Sequence, residues 1–108
     1  MKEIYRGDTF EFDVSAKLET GEDYIFENGE KLRAGLKYNT LESSKYLLYQ
    51  VKDVTDNTNE VHFEFTPSET KELTIGVKVF EVELTTKDGK VRTIYQGEIE
   101  VKGDVLND

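Results

Sequence analysis

Val77-Lys-Val-Phe-Glu-Val-Glu-Leu-Thr-Thr86, then Lys87-Asp-Gly-Lys90, then Val91-Arg-Thr-Ile-Tyr-Gln-Gly-Glu-Ile-Glu-Val101 is the stretch whose reading decides the fold. Asp88-Gly89 between two β-branched runs is a strong hairpin signal, because glycine tolerates the positive φ of a tight turn. In the first arm Phe80, Val82 and Leu84 share one face and Glu81 and Glu83 the other. In the second arm Ile99 and Val101 alternate with Glu98 and Glu100. A ribbon with one apolar face needs an opposing layer to cover it.

Working outward, Ile4 to Leu18 reads as strand. Phe10, Phe12, Val14, Ala16 and Leu18 fall on one face and Thr9, Glu11, Asp13, Ser15 and Lys17 on the other. Gly7-Asp8 is a place where the chain can bend, separating Ile4–Arg6. A polar turn at Thr20-Gly21-Glu22-Asp23 precedes a short strand at Tyr24-Ile25-Phe26, and Asn28-Gly29 is a second tight turn. Leu32, Ala34, Leu36 and Tyr38 then alternate with Lys31, Arg33, Gly35 and Lys37. The basic outward face of this strand, among neighbours that show carboxylates, predicts at least one acidic strand beside it.

After a polar connection at Asn39–Ser44, Lys45-Tyr-Leu-Leu-Tyr-Gln-Val51 is a strand apolar on both faces, either central or covered by a partner. Tyr46 and Tyr49 fall on its opposite faces. Val61, Phe63 and Phe65 alternate with His62 and Glu64. Thr66-Pro67-Ser68-Glu69 carries an N-cap, a proline at the first helical position and the glutamate of a capping box. It predicts one helical turn near Pro67–Glu72 that crosses between sheets, with Leu73 plugging the end of the core. Periodic strands and regular turns give an all-β sandwich of about seven to nine strands in a single domain, residues 1–108, with a loosely ordered tail at 103–108.

Composition bounds what such a domain does. Fourteen Lys and Arg against 23 Asp and Glu give a net charge of −9. That surface repels phosphate backbones and anionic lipid, so neither nucleic acid nor membrane is an expected partner. Six Phe and six Tyr in 108 residues supply the material of a packed core. The absence of cysteine excludes disulfides, thiolate metal sites and cysteine nucleophiles. The N-terminus lacks the apolar core of a signal peptide, so folding in the cytoplasm is expected.

No residue set supplies chemistry at this level. His62, the sole histidine, sits on the polar face of a strand beside Glu64, with no nucleophile elbow anywhere; it reads as a surface histidine. The Asp53–Glu60 loop has oxygen ligands but not the order of a calcium loop. Arg6-Gly7-Asp8 spells an adhesion tripeptide, yet Gly-Asp is also ordinary turn chemistry. The expectation is no catalytic, cofactor-binding or metal residues. Tyr46, Leu47 and Tyr49 are the candidate interface, since tyrosine combines contact area with low entropy cost.

The order Arg6-Gly-Asp-Thr-Phe10, Gly29–Lys37, Val61–Phe65, Thr66-Pro67-Ser68-Glu69-Thr70, Gly76, Phe80-Glu-Val-Glu-Leu84, Asp88-Gly89, Thr93-Ile94, Gly97, Val101 and Asp104-Val105 resembles a family of small phage proteins. They share the immunoglobulin-like antiparallel β-sandwich of tailed phages and prophages of Gram-positive bacteria, found free-standing or as the N-terminal domain of baseplate upper proteins. Lys78 and Val79 depart from its pattern of an aromatic residue followed by a polar one. The resemblance implies a non-enzymatic virion structural protein, assembled in the host cytoplasm, that docks on other tail proteins or on itself. It carries over no active-site residues and no cofactor. The alternative from a different class is a host-side binding module for carbohydrate or protein.

Overall fold

The structure, a computed structural model, describes residues 2–39 and 45–103. The strands are β1 (Lys2–Tyr5), β2 (Phe10–Val14), β3 (Lys31–Lys37), β4 (Tyr46–Asp53), β5 (Val61–Phe65), β6 (Gly76–Thr85) and β7 (Val91–Lys102), with one helix, α1 (Pro67–Lys71). They form a five-stranded sheet in the order β1-β7-β6-β3-β4 and a two-stranded sheet of β2 and β5. The molecule is therefore an all-β, sandwich-like fold of two layers.

The β6–β7 hairpin forms as its sequence dictates. Thr85 pairs with Val91, the Thr86 amide donates to the Lys90 carbonyl at 2.8 Å, and Gly89 takes φ +87° in the turn. Phe80, Val82, Leu84, Ile99 and Val101 are buried on the inner face. Opposite them, β2 and β5 contribute phenylalanines in register: Phe10 faces Phe65 and Phe12 faces Phe63. The ring centroids of the two pairs lie 6.0 and 5.4 Å apart, and the Phe80 ring meets Phe12 edge-on at 5.0 Å. Aromatic packing between the layers is thus the centre of the core, each such ring contributing on the order of 1.5–3 kcal/mol through burial.

Helix α1 carries the chain from the small sheet to the large one. Thr66 caps it: its hydroxyl accepts from the Glu69 amide at 3.3 Å, and the Glu69 carboxylate accepts from the Thr66 amide at 2.9 Å. Leu73 is buried at the end of the core. Arg6-Gly7-Asp8 is also tied here. The Arg6 guanidinium donates to the Lys71 carbonyl at 3.0 Å, the Gly7 amide to the buried Thr70 hydroxyl at 3.1 Å, and that hydroxyl donates to the Asp8 carbonyl at 2.7 Å. The tripeptide is occupied in holding the crossover from β1 to β2, with Gly7 at φ +83°.

Several expectations need correction. The Ile4–Leu18 stretch does divide at Gly7-Asp8, into β1 and β2 in different sheets, but β2 stops at Val14 rather than running on to Leu18. β1 runs parallel to β7, with Ile4 opposite Val101, so the sandwich is not wholly antiparallel. Leu18 and Tyr38 are exposed because their strands end at Val14 and Lys37. Tyr24–Phe26 forms no strand, since Phe26 pairs with Thr58 while Tyr24 bonds instead to Ala16, and two neighbours in different directions build no ladder. Lys78 points inward, with its ammonium 5.0 Å over the Tyr38 ring. The tail at 104–108 and residues 40–44 of the Asn39–Ser44 connection lie outside the described residues.

A buried carboxylate fixes the Tyr24–Glu30 loop. Glu30 accepts from the Tyr24 hydroxyl and from the Glu27 amide, both at 2.8 Å. Burial, reinforced by Glu30, pushes the Tyr24 phenol up to about 12. The Asp53–Glu60 loop spends its polar side chains the same way. Asn57 accepts from the Asn28 amide, Asn59 donates to Asp23 and Asp53 pairs with Lys31.

Candidate interaction surface on the five-stranded sheet

The outer face of the large sheet is built around β3. Its odd-numbered residues point away from the core, and β6 beside it supplies the expected acidic neighbours. Arg33 pairs with Glu83 at 2.8 Å and Lys37 with Glu81 at 3.9 Å. Gly35, between them, leaves bare backbone on this face. The Tyr46 ring lies in that gap: a Cβ added to Gly35 would come within 2.3 Å of it. A mid-strand glycine of this kind marks a close approach by another group.

β4 places the two tyrosines together by an irregularity the sequence did not reveal. Leu48 pairs with Leu36, but the next β3 residue, Lys37, pairs with Tyr46, so Leu47 is an extra residue on β4. A bulge shifts the alternation by one. Tyr46 and Tyr49, expected on opposite faces, therefore share the outer one, with ring centroids 4.6 Å apart. Both are exposed, at 40% and 44%, as is Val51. Leu47 packs against the core instead. The candidate surface keeps Tyr46 and Tyr49 and loses Leu47.

Electrostatics hold the rings in place. The Lys37 ammonium sits 4.6 Å from the Tyr46 ring centre, within cation–π range. Burial, and then the carboxylates of Glu81 and Glu83, raise the Tyr46 phenol above its ordinary value, so it stays a neutral donor. β4 is an edge strand of its sheet, so of the two expected alternatives, central or covered by a partner, the central one does not hold, and its second apolar face looks outward. The surface can stack against flat groups, donate two phenolic hydrogen bonds and offer an unpaired strand edge. Among the described residues it brings no nucleophile and base into contact.

Elsewhere, a groove of about 280 Å³ between β2 and β7 is lined chiefly by Phe10, Phe12, Phe80, Val82, Ile94 and Tyr95. A second bulge, at Ile94, accompanies it: Val82 pairs with Tyr95 and Glu83 with Thr93. His62 is exposed on the small sheet and paired with Asp13. No helix among the described residues is long and apolar enough to cross a membrane. No protein-family model, curated protein or solved structure matches the chain.

Proposed function

We propose that this chain is a non-enzymatic assembly module of a phage or prophage tail or baseplate, docking through the outer face of its five-stranded sheet onto another virion protein or a second copy. The observation that carries the docking is the Tyr46–Tyr49 pair, held side by side over Gly35 on rigid strands. Exposed, pre-oriented tyrosines are the residues from which interface hot spots are built. An immunoglobulin-like assignment draws support from the strand order. β7-β6-β3-β4 follows the G-F-C-C′ sequence of a variable-type sheet, with β2 and β5 in the places of B and E. The net charge of −9 suits a partner with a basic patch.

The test is cross-linking mass spectrometry on purified particles. Cross-links from the exposed Lys45 to one defined virion protein, or to another copy, are the expected result. Particles that lack the chain would sink the reading. A host-side module for carbohydrate is a second reading, because two adjacent exposed rings beside the Arg33–Glu83 pair also suit a sugar face. Quenching of tyrosine fluorescence by oligosaccharides, lost in Tyr49→Ala, would favour it over assembly.

A further inference from the structure

The outer face of the small sheet carries a different arrangement. Register sets Glu11 directly opposite Glu64 and Asp13 directly opposite His62. Because Phe10, Phe12, Phe63 and Phe65 turn inward, these four residues stand together on the outside. One ligand atom from each of Glu11, His62 and Glu64 lies within 4.8 Å of the other two. Asp13 holds His62 Nδ1 at 2.8 Å.

We propose that Glu11, His62 and Glu64 form a binding site for a borderline transition-metal dication of the Zn²⁺ class, with Asp13 orienting the imidazole. An ionised carboxylate only accepts hydrogen bonds, so the proton belongs on Nδ1 and the lone pair of Nε2 is free for a metal. A carboxylate behind a ligating histidine is the usual outer partner at zinc sites. One nitrogen and two carboxylate oxygens favour such an ion over Mg²⁺ or Ca²⁺, which take oxygen ligands. Three protein ligands leave a coordination position open to water or to a partner's side chain.

The charge pattern points the same way. Like charges directly opposite across two strands are destabilising, and among the described residues no lysine or arginine pairs with Glu11 or Glu64. A dication between them removes that repulsion. Metal–ligand lengths of about 2.1 Å imply ligand atoms about 3.4 Å apart. Exposed glutamates reach that spacing by side-chain rotation, with both strands fixed by the phenylalanine stacks beneath. The site does not depend on the docking reading.

The experiment is a titration of the untagged, EDTA-stripped protein with Zn²⁺ against a chromogenic competitor chelator, with Mg²⁺ and Ca²⁺ as controls. One Zn²⁺ per chain is expected, with affinity falling about 10-fold or more in His62→Ala, Glu11→Gln and Glu64→Gln, and about 10-fold in Asp13→Asn. NMR of the His62 ring in the wild type supplies a readout independent of variant folding, since its signals should shift on adding Zn²⁺ and not Mg²⁺. Absence of stoichiometric Zn²⁺ binding overturns the site. So does binding that leaves the His62 signals unmoved or that is unchanged in Glu11→Gln and Glu64→Gln.

Discussion

The two sheets share one core and differ on their outer faces. Around β3 on the large sheet charges of opposite sign meet, Arg33 with Glu83, Lys37 with Glu81 and Lys31 with Asp53, while at the β1 edge Glu3 stands opposite Glu100 and takes its counter-charge from Lys102. The small sheet sets Glu11 against Glu64, with no lysine or arginine paired to either among the described residues, and His62 against Asp13. Charge that is already balanced leaves a face free to present its tyrosines to a neighbour. Charge left unbalanced makes a face that gains from a cation. Cross-strand pairing is thus a local indicator of what each surface is ready to bind.

The largest effect should come from removing what the sheets have in common. Phe63→Ala takes a fully buried ring out of the aromatic stack and is expected to cost about 3–5 kcal/mol, read from chemical denaturation. The same measurement on Tyr49→Ala should stay within about 0.5 kcal/mol of wild type, as suits a surface position. A large loss there would mean the ring belongs to the fold rather than to a docking face.

Thr70→Val tests the crossover that sends β1 and β2 to different sheets. It strips the Gly7 amide and the Asp8 carbonyl of a buried partner, for an expected loss of about 1–3 kcal/mol. Thr66→Ala removes the helix cap on the other crossover and should cost about 1 kcal/mol. If both variants melt like wild type, the crossovers do not hold the layers in register.

Gly35→Ala acts on the large sheet's outer face alone. Its new methyl group displaces the Tyr46 ring, an exposed side chain with room to swing away, so association should weaken while folding changes little. Sedimentation velocity and circular dichroism separate the two effects.

The smallest effect lies on the other outer face. The hydrogen bond to Asp13 raises the His62 pKa above 6.5, so the pair's stabilising contribution is fully present below that pH and is lost as pH rises through the folded-state value. An NMR titration in EDTA should find His62 titrating above 6.5 in wild type and lower in Asp13→Asn. Equal values in the two proteins would remove Asp13 as the cause.

Much of this was legible in the chain because its signals are local. Asp88-Gly89 fixed the hairpin, Thr66-Pro67-Ser68-Glu69 the capped turn, and the Phe alternation of β2 and β5 the inner faces. The basic strand found its acidic neighbour because charge alternates with the same period as burial. Arg6-Gly7-Asp8 was ambiguous, since a turn and a recognition motif use the same residues; the contacts to Thr70 and Lys71 show the turn.

The sequence by itself determined the β6–β7 hairpin, the capped turn and the core-facing alternation inside β2, β3, β5 and β6, because period-2 alternation and turn chemistry act over a few residues. Tertiary structure alone decided that β1 runs parallel to β7, that a bulge at Leu47 turns Tyr46 onto the face of Tyr49, and that Glu11 stands opposite Glu64 beside His62. Each of these depends on which strands become neighbours and in what register, and register between distant segments is set by packing of the whole core rather than by any short stretch of residues.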